Sequence, residues 1–361
     1  MNINLTAPIN SLGYGIVSLN ILAGLSRLGH TPALWVLGYR DVPGTHSILV
    51  DEAAARMASY DRDAPSLRIW HQFDLAQHVG KGIHAAFPIF ELDRFRPVER
   101  HHMAQQDVVF VATEWAGQVC RDNGLANWRV VPFGIDQDIF FPRDLREPRD
   151  ETIFMNVGKW ELRKGHDVII DAFCKAFNKD DKVRLVMLCN NPCFSDMDRL
   201  RRYNKQWEDL YFRSPLGAKI EIIPTRLENQ RAVADLMAQA DCGVFPARAE
   251  GWNLDLAEML AIGRPCIATN ATGHTQYVTK ENCLLIEPGP MEKAYDGVWF
   301  TGQGEWPSFG ADQVEQLVQH MRAIHKQKQE CGSLYNKAGA DTMREFTWDA
   351  TASKIAEYLC R

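Results

Sequence analysis

At 361 residues the chain is longer than one ordinary domain, and 46% apolar with 24% charged residues is the balance of a globular protein with a large core, which excludes a disordered or low-complexity chain. A net charge of −6 excludes a broad nucleic-acid footprint. Nine irregularly spaced cysteines without a CxxC pair, and no amino-terminal apolar segment, predict reduced thiols in the cytoplasm; no run approaches the roughly 18 apolar residues that span a bilayer, so membrane contact is at most peripheral.

In chain order, the first half alternates short apolar runs with helical patterns: INLTA, YGIVSLNILAGLSRLG, ALWVL, LRIW, IHAAF, and VVFVA followed by TEWAGQVCRDNG. That alternation predicts parallel strands with crossover helices. VPFGIDQDIFFPRDLREPRDE breaks the rhythm with Pro132, Gly134, Pro142, Pro148 and a charge run. The rhythm restarts with TIFMNVG, HDVIIDAFCKAF, VRLVMLC, KIEIIP, ENQRAVADLMAQA, CGVFP, LDLAEMLAIG, PCIAT and CLLIE. Ile169, Ala172, Phe173, Ala176 and Phe177 have the i, i+3, i+4, i+7, i+8 spacing of a buried helix face. The expected architecture is α/β, two open sheets in tandem, with residues 1–140 and 141–311 as the domains and a helical tail at 312–361 that packs back towards the first domain. The economical place for a ligand is a cleft between them, at the carboxyl ends of the strands.

Three stretches carry chemistry. Asn10 to Gly15, NSLGYG, lies between the first strand and the first helix, where glycines let backbone N–H groups approach an anion. It lacks the third glycine of a dinucleotide fingerprint, and an ordinary tight turn fits it equally well. Asn156 to Gly165, NVGKWELRKG, sets three cations after the second domain's first strand, suited to a phosphorylated ligand or to a solvated turn. Arg163 reads as the most dispensable of the three. Phe245 to Glu258, FPARAEGWNLDLAE, ends a strand, presents Arg248 and Glu250 in a loop, and starts a helix near Asn253 whose free N–H groups would satisfy a diphosphate. Glu258, further along that helix, could accept two hydrogen bonds from a ribose diol.

VPFGIDQDIFFP, NVGKWELRKGHDVIIDAF and FPARAEGWNLDLAEMLAIGRPCIATNATGHTQYV together resemble the retaining nucleotide-sugar glycosyltransferases of family 4, which have a GT-B fold of two Rossmann-like domains facing each other across a cleft. Glu250 and Glu258 match that family's E-x7-E pattern. The resemblance implies that the first domain binds the acceptor and the second the donor. It implies that Glu258 binds ribose, that Glu250 sits by the donor sugar, and that Lys159 and Lys164 neutralise the diphosphate while Gly15 approaches it. Gly158, Trp252, Asn253 and Leu254 join the donor-site candidates, and the base is expected near Pro224-Thr225-Arg226. The first-domain residue beside the reacting sugar is His84 or Glu91, left open here; a lone His or Glu at a strand end is more often structural. The family's usual Gly-Phe-Gly is Gly251-Trp252-Asn253 in this chain, which puts a side chain where relatives often have none.

The implied reaction moves a sugar from a nucleotide diphosphate sugar, GDP- or UDP-linked, to a hydroxyl acceptor: a glycan, a lipid-linked sugar or a small molecule, as in polysaccharide biosynthesis. No enzymatic nucleophile stands out, which favours a front-face substitution. No cofactor is implied, and the lysines with a helix terminus can do the neutralising that a metal would otherwise do, so the reaction is expected to be metal-independent. Two alternatives stay open, a nucleotide-sugar epimerase and a non-catalytic nucleotide- or glycan-binding protein of the same fold. Trp252, Trp299 and Trp306 could stack on sugars, although buried packing is the commoner use of tryptophan. The segment from Gly289, GPMEKAYDGVWFTGQGEWPSFG, has no place in the resemblance.

Overall fold

The computed structural model describes residues 1–42, 44–143 and 150–360, so Pro148 and most of the charge run around it lie outside the described residues. The chain divides into two compact units, Met1–Asp136 with Phe346–Arg361, and Gln137–Glu345.

The first unit runs β1 (Asn2–Ala7), α1 (Gly13–Arg27), β2 (Thr31–Val36), α2 (Ser47–Ala55), β3 (Ser66–Arg68), β4 (His84–Ala86), α3 (Pro97–Ala104), β5 (Val108–Val111), α4 (Glu114–Asp122) and β6 (Trp128–Val130). Its described strands pair in parallel in the order β2-β1-β3-β4-β5-β6. Local chemistry sets the helix starts. Thr113 accepts a hydrogen bond from Ala116 N–H at the head of α4, and Pro97 occupies the first position of α3, where its missing N–H costs nothing. Val109, Val111, Met103 and Cys120 lie in its buried core.

The second unit continues with β7 (Thr152–Gly158), α5 (His166–Ala176), β8 (Val183–Cys189), α6 (Met197–Phe212), β9 (Ile220–Ile222), α7 (Gln230–Met237), β10 (Cys242–Phe245), α8 (Leu254–Ala261), β11 (Cys266–Thr269) and β12 (Leu284–Ile286). A hairpin of β13 (Met291–Tyr295) and β14 (Thr301–Pro307) follows, then α9 (Ala311–Cys331) and α10 (Lys337–Arg344). Its parallel sheet has the order β12-β11-β10-β7-β8-β9, and the hairpin is antiparallel and separate. Between β7 and β10 the connection reverses direction, and the carboxyl ends of two such strands leave a crevice open to ligands. The predicted stripe of α5 is buried as expected from its spacing, and Phe154, Phe173 and Phe177 pack in one cluster with Leu317, Met321 and Ile324 of α9.

The chain then returns to the first unit as α11 (Trp348–Leu359), which packs along α1. Gly24 makes that approach possible, since a Cβ there would lie 2.8 Å from the Cβ of Ala352. Arg27 donates to Asp349 at 2.6 and 2.8 Å beside it. Among the described residues no helix is long and apolar enough to cross a membrane.

Candidate active site of the second unit

Two loops meet at the β7/β10 reversal. The loop after β7 carries Lys159, Glu161, Arg163 and Lys164; the loop after β10 carries Arg248 and Glu250 and leads into α8. Backbone and side-chain bonds knit them together. Arg248 N–H donates to the Arg163 carbonyl at 2.7 Å, and the Arg163 guanidinium to the Ala249 carbonyl at 2.5 Å. The Arg248 guanidinium bonds both Asp167 oxygens at 2.8 Å and the Leu162 carbonyl at 2.7 Å. This fork-to-fork geometry fixes orientation as well as charge.

The result is a ladder of alternating charge. Lys159 Nζ lies 2.9 Å from Glu161, Glu161 lies 2.8 Å from Arg163, and Arg163 lies 2.9 Å from Glu250. Glu250 lies 2.9 Å from Lys164, which is 3.5 Å from Asp255 in the first turn of α8. Burial alone would raise the carboxyls of Glu161 and Glu250, but Arg163 first and then the flanking lysines outweigh it and hold both down at about 2. Burial likewise disfavours the Lys164 ammonium, and Glu250 and Asp255 outweigh it, so its affinity for the proton rises. Burial pushes Asp255 upward, opposed by Lys164.

Glu250 is held from behind as well. Its N–H donates to Thr272 Oγ1 at 3.0 Å, and its carbonyl accepts from Gly273 N–H at 2.8 Å. Among the described residues the non-glycine residues at positive φ are Asn253 at 72° and Thr272 at 58°. Both belong to the segments that fix Glu250, and such strain persists only where the surroundings over-determine the backbone. Asn253 caps α8, its Oδ1 accepting from Leu256 N–H at 3.3 Å, and Leu254 is the first helical residue. Trp252 is 2% exposed and its carbonyl, with that of Asn253, accepts from Tyr277 Oη. Glu258 lies in the second turn of α8 and is buried.

The structure thus brings Gly158, Lys159, Lys164, Glu250, Trp252, Asn253, Leu254 and Glu258 to the two loops and the head of α8. Thr225 and Arg226 lie in the exposed loop after β9, which the Asn190 amide ties to the loop after β8 through the Pro224 carbonyl at 2.8 Å. Gly15, His84 and Glu91 belong to the first unit. Gly15 packs against Asn10, where a Cβ would meet backbone at 2.2 Å. His84 and Glu91 are not brought together. His84 opens β4 at its amino end and stacks on His78 with centroids 4.2 Å apart, whereas Glu91 follows the carboxyl end of that strand.

Arg163 differs most from its reading in sequence. It is 3% exposed, bridges both glutamates and is the centre of the ladder rather than a dispensable cation. Glu161 and Asp255 also enter the site, and sequence reading passed over both. The available signal was the spacing Lys-x-Glu-x-Arg, opposite charges two apart in the short stretch between a strand and the next α-helix.

Two parallel six-stranded sheets in this arrangement make the fold a two-domain, Rossmann-like GT-B fold. Sucrose-phosphate synthase from Thermosynechococcus elongatus aligns over 99% of this chain and 98% of its own, with a TM-score of 0.71 and 17% identity. Anabaena HepE, solved with UDP and glucose, aligns over 100% and 99%, with a TM-score of 0.68 and 14% identity. In sequence, residues 151–298 match the family described as Glycosyl transferases group 1. A GDP-mannose-dependent alpha-(1-6)-phosphatidylinositol dimannoside mannosyltransferase of Mycobacterium tuberculosis is 24% identical over 199 residues, 53% of this chain and 48% of that protein. The chain therefore spans about half the length of the curated relatives it matches.

Proposed function

We propose that the protein is a retaining glycosyltransferase that moves a sugar from a nucleotide diphosphate sugar to a hydroxyl acceptor. The observation that carries this reading is Glu250, a buried carboxylate clamped between Arg163 and Lys164 at the head of α8, with Glu258 one helical stretch further on. In this reading the donor's diphosphate lies against Lys159, Lys164 and the first amides of α8, Glu258 holds the ribose, and the base reaches towards Thr225 and Arg226. Glu250 faces the sugar. The bond from the sugar's anomeric carbon to the diphosphate breaks, the acceptor oxygen attaches on the same face, and its proton passes to a departing phosphate oxygen. Lys164 and the helix terminus stabilise the charge that develops there, with no metal required.

The mycobacterial relative, whose name specifies GDP-mannose and a phosphatidylinositol dimannoside, supports the GDP-linked side of a GDP- or UDP-sugar donor and the glycolipid side of a glycan or glycolipid acceptor for this chain. The reaction takes place in the cytoplasm, with peripheral contact to a membrane where the acceptor is a lipid.

The test is a panel of UDP-, GDP-, ADP- and CDP-sugars offered without acceptor, with binding and slow release of nucleoside diphosphate both measured. One donor bound and slowly cleaved is the expected result. Folded protein that binds none of them refutes the reading. Once the donor is known, Glu250→Gln should lower transfer on the order of 100-fold or more while leaving nucleotide affinity largely intact, because it removes charge beside the sugar without opening a cavity. Equal loss of both would remove Glu250 from the sugar side.

A further inference from the structure

The hairpin of β13 and β14, which has no place in the sequence resemblance, touches the two site loops at two points. At its base, Glu292 accepts from Trp306 Nε1 at 3.2 Å and lies 3.8 Å from Arg248. At its tip, the Phe300 ring lies 6.0 Å from the guanidinium of Arg163, within cation–π range. The turn between the strands is preorganised. Asp296 Oδ1 accepts from the N–H groups of Val298, Trp299 and Phe300, each at 2.8 Å, and Asp296 N–H donates back to the Phe300 carbonyl at 3.0 Å.

This turn holds an indole at the surface. Trp306 and Trp252 are 1% and 2% exposed and serve packing, whereas Trp299 is 37% exposed. Its ring lies 4.9 Å from that of Phe194, in the loop after β8. Phe194 follows Cys193, whose Sγ is 4.0 Å from the Lys159 ammonium at the outer end of the ladder. An aromatic pair, whose Phe194 ring is also flanked by Arg199 and Tyr203 at 5.0 Å, thus forms at the loop whose Cys193 reaches the Lys159 cation, and a ring next to a phosphate-binding cation is the pairing that a ligand carrying both groups requires.

We propose that the hairpin tip completes the ligand site of the second unit, with Trp299 and Phe194 forming an aromatic wall for a ring of the ligand whose diphosphate Lys159 neutralises. The inference rests on the nucleotide-sugar reading of the site. A nucleobase and a pyranose share the required chemistry, a flat or apolar ring face, and both belong to that one ligand.

The experiment is calorimetric titration of wild type, Trp299→Ala, Phe194→Ala and Trp299→Phe with UDP, GDP, UDP-glucose and GDP-mannose. Melting temperatures identify folded variants. Each alanine variant should bind about five- to 100-fold more weakly, the range of aromatic stacking on a ring, and Trp299→Phe should recover most of the loss. Equal weakening for the nucleoside diphosphate and its sugar assigns the ring to the base; weakening for the sugar nucleotide alone assigns it to the sugar; either supports the wall. Unchanged affinity for all four in both alanine variants overturns it. Wild type that binds none of the four overturns the GDP- or UDP-sugar donor and the wall with it, whereas the broader nucleotide-sugar reading is refuted separately by the full donor panel. Acrylamide quenching gives a second readout that needs no alanine variant. The difference between wild type and Trp299→Phe should shrink when ligand binds, and an undiminished difference counts against the wall.

Discussion

Arg163 links two glutamates that lie 89 positions apart in the chain, Glu161 and Glu250, and that separation explains why sequence reading undervalued it. The placement of Glu250, Glu258, Lys159 and Lys164 on two loops and one helix could be read from local spacing, whereas a bridge between two loops exists only after the sheet has formed. Arg163→Ala leaves two buried carboxylates short of a cation, and such a loss destabilises by about 3–5 kcal/mol. Arg163→Lys keeps the charge without the fork and should recover part of it in thermal melts. The same ladder sets a pH dependence. Glu161 and Glu250 ordinarily titrate near 4.5 and are held at about 2, so the folded form binds fewer protons than the unfolded chain between those values. Their stabilisation is complete above pH 4.5 and is lost as pH falls towards 2. His166 acts in the same direction. Burial first, then Lys164, depresses it from 6.5 to about 3, so its contribution declines as pH falls from 6.5 towards 3. Melting temperature should therefore decline below pH 6.5 and fall more steeply below 4.5, and Glu161→Gln should flatten the lower limb. A steep lower limb unchanged in that variant would reject the assignment.

At the level of elements, long periodic segments were readable and short or charged ones were not. The helix of α5 followed from five apolar positions, and the start of α8 from the Gly-Trp-Asn break before an apolar run. The hairpin escaped because β13 and β14 are largely exposed or half-buried and carry Glu292, Lys293 and Glu305 instead of an apolar alternation. Strands of three residues such as β3, β4 and β9 are too short for period to decide their ends, so the sequence does not show that His84 stands at the beginning of its strand. Asn253 tests the α8 head directly. It supplies both the left-handed backbone and the capping oxygen, so Asn253→Ala should cost about 1–2 kcal/mol and Asn253→Gly only a few tenths. Chemical denaturation of the two variants measures the difference, and equal losses would show that the cap oxygen, not the backbone, sets the helix head.

Across the whole molecule, the parallel strands and crossover helices of both six-stranded sheets were legible, because alternation of apolar runs and helical patterns is a long-range signal that survives local errors. A helical tail packing back towards the first domain was expected from residue 312; what pattern could not show is which of its helices do so, since α9, α10 and α11 read alike as helix and differ in where they pack. Trp348, Ala352, Ile355 and Leu359 of α11 are buried, and side chains of the size of Ile355 and Leu359 stabilise by about 1.5–3 kcal/mol each. A chain ending at Glu345 should therefore lose the cooperative melting of the first unit while the second keeps its own transition. A single unchanged transition in calorimetry would refute this.

The return of α11 also orders events during synthesis. A ribosome delivers β1 to β6 first, then the whole of Gln137–Glu345, and only afterwards the helix that packs against Gly24. At ordinary elongation rates the first six strands wait roughly 10–40 s for their partner. Throughout that interval the earlier-made of these two units is the unfinished one, open to chaperones and proteases, while the later-made unit can already be closed.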